Sequence, residues 1–144
     1  MRYYELQIGD YVLVNGVPRQ VEAVTKKKIG YHVNKQTDGC LQYARLKDIE
    51  PIPLTEGFLR VNGFVKNLCY WEYLIDGQTW LEFYRHENRL SRYWRGKDEW
   101  ENHSIQRETT FQCRGIHYVH QLQHALKLCY WEGKEWKIND ADGE

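Results

Sequence analysis

The sequence predicts an α+β fold, in which a small N-terminal β-barrel precedes an antiparallel sheet packed against a C-terminal helix. Short runs rich in valine and tyrosine, separated by turn residues, fill residues 8–53. Two alternating runs flank Asp76-Gly77, a dipeptide typical of tight hairpin turns. Residues 116–129 repeat apolar side chains with helical spacing. We therefore predict a β-barrel domain at residues 1–53 and an α+β domain at residues 54–144.

The N-terminal domain is predicted to consist of short strands joined by tight turns. Strands are expected at residues 10–15, 17–24, 29–34 and 40–44. Pro18 stands at a strand start, where its missing N–H costs little. The opening IGDYV and the valines after it resemble the first strands of SH3-like barrels. This resemblance implies an SH3-like β-barrel, a shape that many functions share.

The domain boundary is predicted from prolines and a helix-capping pattern. Pro51 and Pro53 stop the last strand of the first domain. Thr55 is a typical N-cap for a short helix over residues 56–61. Asn62-Gly63 is a usual helix stop.

The second domain is predicted to contain four strands and one long helix. Strands are expected at residues 68–75, 79–86, 89–95 and 106–112. The pentamer LCYWE occurs at residues 68–72, entering a strand, and again at residues 128–132, ending the helix. The flanking sequences share little, so we interpret the repeat as coincidence and not as a duplicated unit.

The C-terminal helix is predicted to bury one apolar side and to expose its histidines. At about 100° per residue, the apolar stripe consists of Tyr118, Leu122, Ala125 and Cys129. The opposite side carries His117, His120 and His124. We expect the stripe to cover the sheet and the imidazoles to point outward.

Two motifs resemble a family of small proteins encoded in prophages and mobile elements of gut anaerobic bacteria. The first is PIPLTE at residues 51–56, followed by Gly63-Phe64, and the second is YVHQLQ at residues 118–123. The chain departs from the family pattern at Gly57, where a better helix former is expected. The resemblance implies a phage or mobile-element context, and the family has no established activity.

Composition argues against a polyanion or membrane as the partner. Lysine plus arginine number 20 and aspartate plus glutamate number 20, so no net field attracts such surfaces. The N-terminus lacks the basic start and apolar run of a signal peptide. No window approaches the ~20 apolar residues that cross a bilayer. We predict a cytoplasmic protein whose cysteines are reduced.

A metal site is one hypothesis for the C-terminal helix. His120 and His124, four residues apart on a helix, can chelate one ion, with Cys113 as a third ligand. The glutamate of H-E-x-x-H is missing, and the chain has no C-x-x-C pair. The alternative is a polar surface facing solvent or a partner.

A nucleic-acid site is the second hypothesis, on the hairpin from Arg85 to Lys97. Arginines interleaved with aromatic rings are what single-strand binders use for phosphates and bases. The candidate residues are Arg85, Arg89, Arg92, Tyr93, Trp94 and Arg95. The alternative is a hairpin whose rings pack and whose arginines pair with Glu87, Asp98, Glu99 and Glu101.

The function favoured by the sequence is a non-enzymatic accessory or interaction protein with a protein partner. No nucleophile elbow, phosphate loop or assembled catalytic group is recognisable. No cofactor is predicted. Nucleic-acid binding through the hairpin and metal binding through His120 and His124 stay open as alternatives.

Overall fold

A computed structural model describes residues 1–2, 5–33, 40–96, 107–129 and 136–138 of the chain. The fold is mixed α+β, with three antiparallel sheets and a C-terminal helix. The chain divides into two compact units, of which unit one is Met1–Leu54 with Tyr118–Gln123 and unit two is Thr55–His117 with His124–Glu144. Neither helix of the described residues has the length and apolar character that a bilayer crossing requires.

The described residues of unit one form six short strands in two sheets. The strands are β1 (Tyr11–Val14), β2 (Val17–Gln20), β3 (Ala23–Val24), β4 (Lys28–Tyr31), β5 (Gln42–Arg45) and β6 (Ile49–Pro51). One sheet has the order β2-β1-β6 and the other β3-β4-β5. The buried cluster of this unit is Leu6, Val12, Val14, Val21, Ile29 and Ile49.

The strand predicted at residues 17–24 is broken because the chain changes sheet there. The N–H of Val21 donates to Asp10, beside the first sheet, at 2.8 Å. The N–H of the next residue, Glu22, donates to Gly30 of β4, also at 2.8 Å. Within the described part of the chain, the two sheets stay separate and form no closed barrel.

Strand β6 was not predicted. Pro51 is tolerated there because β6 is an edge strand.

A segment near the C-terminus completes unit one. Helix α2 spans Val119–Leu128, and the N–H of Val119 donates to Ile52 at 2.9 Å. The buried amide of Gln123 accepts from the N–H of Tyr11 at 2.9 Å and donates to the carbonyl of Gly9 at 3.1 Å. One side chain thus satisfies two backbone groups more than 100 positions away.

Unit two contains a short helix and a five-stranded antiparallel sheet. Helix α1 is Glu56–Val61, and the predicted cap is confirmed, since the Thr55 hydroxyl accepts from the N–H of Phe58 at 3.1 Å. The strands are β7 (Val65–Lys66), β8 (Trp71–Leu74), β9 (Thr79–Tyr84), β10 (Arg89–Trp94) and β11 (Glu108–Cys113), in the order β11-β10-β9-β8-β7. The predicted hairpin at Asp76-Gly77 joins β8 to β9.

The two faces of this sheet differ in chemistry because strand side chains alternate. One face carries buried apolar groups, namely Trp71, Leu81, Phe83 and Leu90. The other, here named the open face, carries Glu72, Leu74, Trp80, Glu82, Tyr84, Arg89, Ser91 and Tyr93. The open face is therefore the polar and aromatic side of the sheet.

The prediction for α2 is confirmed for three residues of the apolar stripe and wrong for two rings, those of Tyr118 and His120. Leu122, Ala125 and Cys129 are buried, as expected. Tyr118, however, is 36% exposed, and His120, expected to point outward, is 3% exposed. The reason is that residues 118–123 belong to unit one, which also buries Gln123. In the second half of α2, Ala125 and Leu126 are buried and His124 is half-buried.

We predict that Leu122→Ala destabilises the protein by about 2–5 kcal/mol, because Leu122 is fully buried and its truncation leaves a cavity. Leu128 lies on the same helix and is 67% exposed, so Leu128→Ala is the matched control, with a change within about 0.5 kcal/mol. Urea unfolding of both variants measures the difference. Equal losses of unfolding free energy in the two variants would contradict the packing described for α2.

We predict that Asp76 makes folding stability depend on pH. Its carboxylate accepts from the N–H groups of Gln78 and Thr79, both at 2.8 Å, and these bonds lower the pKa of Asp76. A lowered folded-state pKa stabilises the fold above the unfolded pKa of about 3.9, and this stability is lost as the pH falls. The urea midpoint of the natural chain should therefore drop more between about pH 6 and about pH 3 than that of Asp76→Asn.

Candidate binding site on the open face

A buried carboxylate lies at the centre of the open face. Glu82 is 1% exposed, in the middle of β9. One oxygen accepts from the indole N–H of Trp80 at 2.6 Å, and the other accepts from the hydroxyl of Tyr84. Nη1 of Arg107 donates to both oxygens, at 2.8 and 3.0 Å. The charge is therefore compensated by a cation and by hydrogen bonds, as burial requires.

Two rows of stacked side chains surround this carboxylate. In the first row, Cζ of Arg95 lies 5.4 Å from the centroid of the Trp80 ring, and Cζ of Arg107 lies 4.2 Å from the centroid of the Tyr93 ring. Between them, the rings of Trp80 and Tyr93 stack with their centroids 5.8 Å apart. In the second, Arg89 lies over Tyr84 at 4.2 Å, and Tyr84 contacts Tyr70 at 5.3 Å. Guanidinium groups on ring faces are favourable cation–π contacts. We call the set the arginine–aromatic lattice, which comprises Arg89, Arg95, Arg107, Tyr70, Trp80, Tyr84 and Tyr93.

Three groups of the lattice, Tyr70, Tyr84 and Arg107, keep their protonation states near neutral pH. Burial, followed by the hydrogen bond to Glu82, raises the pKa of the Tyr84 phenol. Burial and the charge of Glu82 raise the pKa of Tyr70 as well. For Arg107, burial alone lowers the pKa, but the charge and hydrogen bonds of Glu82 outweigh it, and the pKa is raised. The phenols thus stay neutral and the guanidinium stays charged.

A cleft of about 460 Å³ opens beside the lattice. Tyr70 and Trp80 contribute its rings, while Glu72, Arg95 and Arg107 contribute charged groups. Gly96 also lines it, and a Cβ at this position would clash with the ring of Trp94. Glycine is therefore favoured at this position. The cleft is within the 300–1,000 Å³ (roughly) typical of small-ligand sites.

The predicted nucleic-acid residues are divided between the two faces of the sheet. Arg89, Tyr93 and Arg95 belong to the lattice. Arg92 and Trp94 lie on the other face, where Nη1 of Arg92 donates to the carbonyl of Cys129 at 3.4 Å. The two sets alternate along β10, and this alternation prevents all the residues from forming one surface.

Ion pairs engage two of the predicted arginines. Arg89 pairs with Glu87 at 2.6 Å, as the alternative interpretation expected. Arg85 pairs with Glu56 at 3.3 Å, a partner that was not predicted. Lys97, Asp98, Glu99 and Glu101 lie outside the described residues. The nucleic-acid hypothesis stays a prediction.

The predicted metal ligands have different surroundings. His120 is buried in unit one, with its ring parallel to Tyr118 at 6.0 Å, whereas His124 is half-buried. Residues 1–2, 5–33, 40–96, 107–129 and 136–138 contain no group of three metal-ligating side chains. Burial raises the pKa of Cys129 to about 11, so its thiol stays protonated at neutral pH. Metal binding by the two histidines stays a prediction that elemental analysis of the purified protein checks.

Sequence reasoning missed the centre of the site. Trp80, Glu82 and Tyr84 alternate within the strand TWLEFY, so their shared face was readable in the sequence. A carboxylate between two aromatic residues on one strand face is the signal that could have indicated the site. Arg107 carries no such signal, because it reaches Glu82 from 25 positions away.

Comparisons of the chain with protein-family models, with curated proteins and with solved structures gave no match.

We predict that Arg107→Ala destabilises the protein by about 2–3 kcal/mol. Breaking a buried ion pair costs about 3–5 kcal/mol, and the 44% exposure of Arg107 reduces this value because water already solvates part of its guanidinium group. Adding Glu82→Gln should restore part of the loss, since a neutral amide costs less to bury. Urea unfolding of the two single variants and the double variant measures this coupling.

The control is Arg114→Ala, at an exposed arginine in the described turn before α2, which should change the stability by no more than about 0.5 kcal/mol. A double variant as unstable as the sum of both single losses would show that Arg107 does not stabilise the Glu82 carboxylate.

Proposed function

We propose that the protein is a non-enzymatic interaction protein of prophage or mobile-element origin, and that its open face binds a protein partner. The observation that carries the proposal is the arginine–aromatic lattice around the buried carboxylate of Glu82. Tryptophan, tyrosine and arginine are the residues that contribute most binding energy at protein interfaces. Here they stand together beside a cleft.

The charge balance of the open face favours a protein over a polyanion. Its three lattice arginines stand near three carboxylates, those of Glu72, Glu82 and Glu87. A nucleic-acid surface gains affinity from an excess of cations over anions. A surface with both signs in alternation provides directional pairing to a protein partner instead.

The state of Glu82 supports binding in preference to catalysis. Both of its oxygens accept hydrogen bonds, and one guanidinium contacts both. A carboxylate held in this way is a fixed anion that positions its neighbours. General acid–base catalysis needs a group within reach of a substrate proton, and Glu82 is 1% exposed.

The N-terminal unit and the cellular context belong to the same proposal. The change of sheet between Val21 and Glu22 is compatible with an SH3-like barrel, in which strands pass from one sheet to the other. The motifs PIPLTE and YVHQLQ support the phage or mobile-element origin. A cytoplasmic location is part of the same proposal.

Binding of single-stranded nucleic acid is the second candidate. The observation in its favour is that Arg95 is exposed and Arg107 is 44% exposed, each on an aromatic ring. Rings and guanidinium groups in this arrangement can stack bases and contact phosphates. Arg107 and Trp80 then replace Arg92 and Trp94 of the sequence-based hypothesis.

We predict that a photo-crosslinking amino acid at Gln78, an exposed cleft residue, forms protein adducts in cells that produce the protein. The same amino acid at Gln42, an exposed residue of β5, is the matched control and should form none of these adducts. Arg95→Glu should abolish the adducts at position 78, because it places an anion on Trp80. Mass spectrometry of the adducts measures the outcome.

The two candidates are separated by fluorescence anisotropy with an oligothymidine of about 20 nucleotides. Protein adducts without oligonucleotide binding support the proposal. Salt-dependent oligonucleotide binding that Arg95→Glu abolishes would replace it with the second candidate.

A further inference from the structure

We infer that the partner binds as an extended segment that adds a strand to the β7–β8 edge of the five-stranded sheet. The segment is expected to carry apolar side chains at alternate positions and one lysine or arginine that reaches Glu72. This inference rests on the proposed function, since it specifies the chemistry of the protein partner and the place where it binds. Three features of the edge lead to it.

The first feature is the short pairing between β7 and β8. β7 is the edge strand and has only two residues, Val65 and Lys66, which pair with Glu72 and Trp71. β8 continues to Leu74, beyond the end of this ladder. Folded proteins usually protect such an edge, and an extended peptide can add to it by backbone hydrogen bonds.

The second feature is the exposed apolar surface beside this edge. Four large apolar side chains of residues 65–75 are exposed, at 64% for Val65, 103% for Leu68, 68% for Leu74 and 41% for Ile75. A groove of about 550 Å³ runs past Val65 and Leu74. Clustered exposed apolar groups mark interaction surfaces, and strand side chains at alternate positions fit such a groove.

The third feature is a carboxylate that makes no salt bridge with any described residue. Glu72 and Glu82 are directly opposite on β8 and β9. Like charges in this position are destabilising, and Arg107 compensates Glu82 only. Glu72 accepts from the amide of Asn67 at 2.8 Å and makes no salt bridge with any described residue.

The position of Glu72 connects the edge to the cleft. Glu72 and Leu74 line both the edge groove and the cleft of the open face. A basic side chain from a strand in the groove would form a direct ion pair with Glu72. The apolar positions of the same strand would cover Val65 and Leu74. Charge complementarity thus selects a basic, alternating segment.

The test is selection from a phage-displayed library of random peptides of about 12 residues, with the full chain as bait. Selected peptides should share alternate apolar residues and a lysine or arginine. The consensus peptide should bind Leu74→Ser at least about tenfold more weakly than the natural chain, because an anchor contact is lost. Glu72→Gln should weaken binding about fivefold, the value of one partly exposed ion pair.

Matched variants control for general effects of substitution. Leu128→Ser removes an equally exposed leucine, and Glu50→Gln removes an exposed carboxylate of β6. Both should bind the consensus peptide as the natural chain does. Glu72→Lys should prefer the consensus peptide in which glutamate replaces the basic residue, which a structural role of Glu72 does not predict.

Other outcomes overturn the inference and separate it from the proposed function. Peptides that lose binding with Arg95→Glu, but not with Leu74→Ser, would leave the open face as the binding surface and remove the edge from it. A dimer in light scattering that Leu74→Ser dissociates would identify a second copy as the occupant of the edge. If no selected peptide distinguishes the natural chain from either variant, both the inference and the proposed function fail.

Discussion

The open face depends on the burial of one charge, the carboxylate of Glu82. A carboxylate with 1% exposure is stable only if cations and donors replace the water it has lost. Trp80 and Tyr84 supply donors from the same strand, and Arg107 supplies the cation. These bonds fix the orientation of two rings and one guanidinium. The stacking of Tyr93, Tyr70, Arg89 and Arg95 follows from those positions.

The first half of α2 has a comparable role in unit one. Gln123 supplies an acceptor to Tyr11 and a donor to Gly9, and Val119 is bonded to Ile52. Unit one therefore draws its hydrogen-bond partners from both ends of the chain. Contacts so distant in sequence form late, because the chain must first lose the entropy of closing a long loop. The YVHQLQ motif forms this segment, so the presence of Gln123 in the motif has a structural explanation independent of function.

The sequence predicted those features that depend on neighbouring residues. The cap at Thr55, the hairpin at Asp76-Gly77 and the apolar stripe of α2 each follow from local patterns. The burial of His120 was not predictable in this way, because it depends on the association of residues 118–123 with unit one. The pairing of Glu82 with Arg107 has the same origin, since Arg107 precedes β11, which is two strands away from β9 in the sheet. Aromatic and arginine content indicated a binding surface, but strand alternation decided which residues share it.

The two opposed glutamates explain how a stable sheet can keep a surface for recognition. Glu82 has its cation within the chain, and the bonds to Trp80 and Tyr84 make the lattice rigid before any partner arrives. Rigid rings and guanidinium groups lose little conformational entropy on binding, so more of the contact energy becomes affinity. Glu72, one strand nearer the edge, is bonded to a neutral amide and lines the groove with Val65 and Leu74. Because Glu72 and Glu82 are adjacent like charges, a ligand that brings a cation to Glu72, the outer of the two, is favoured. The sheet thereby favours basic partners without carrying a net negative charge.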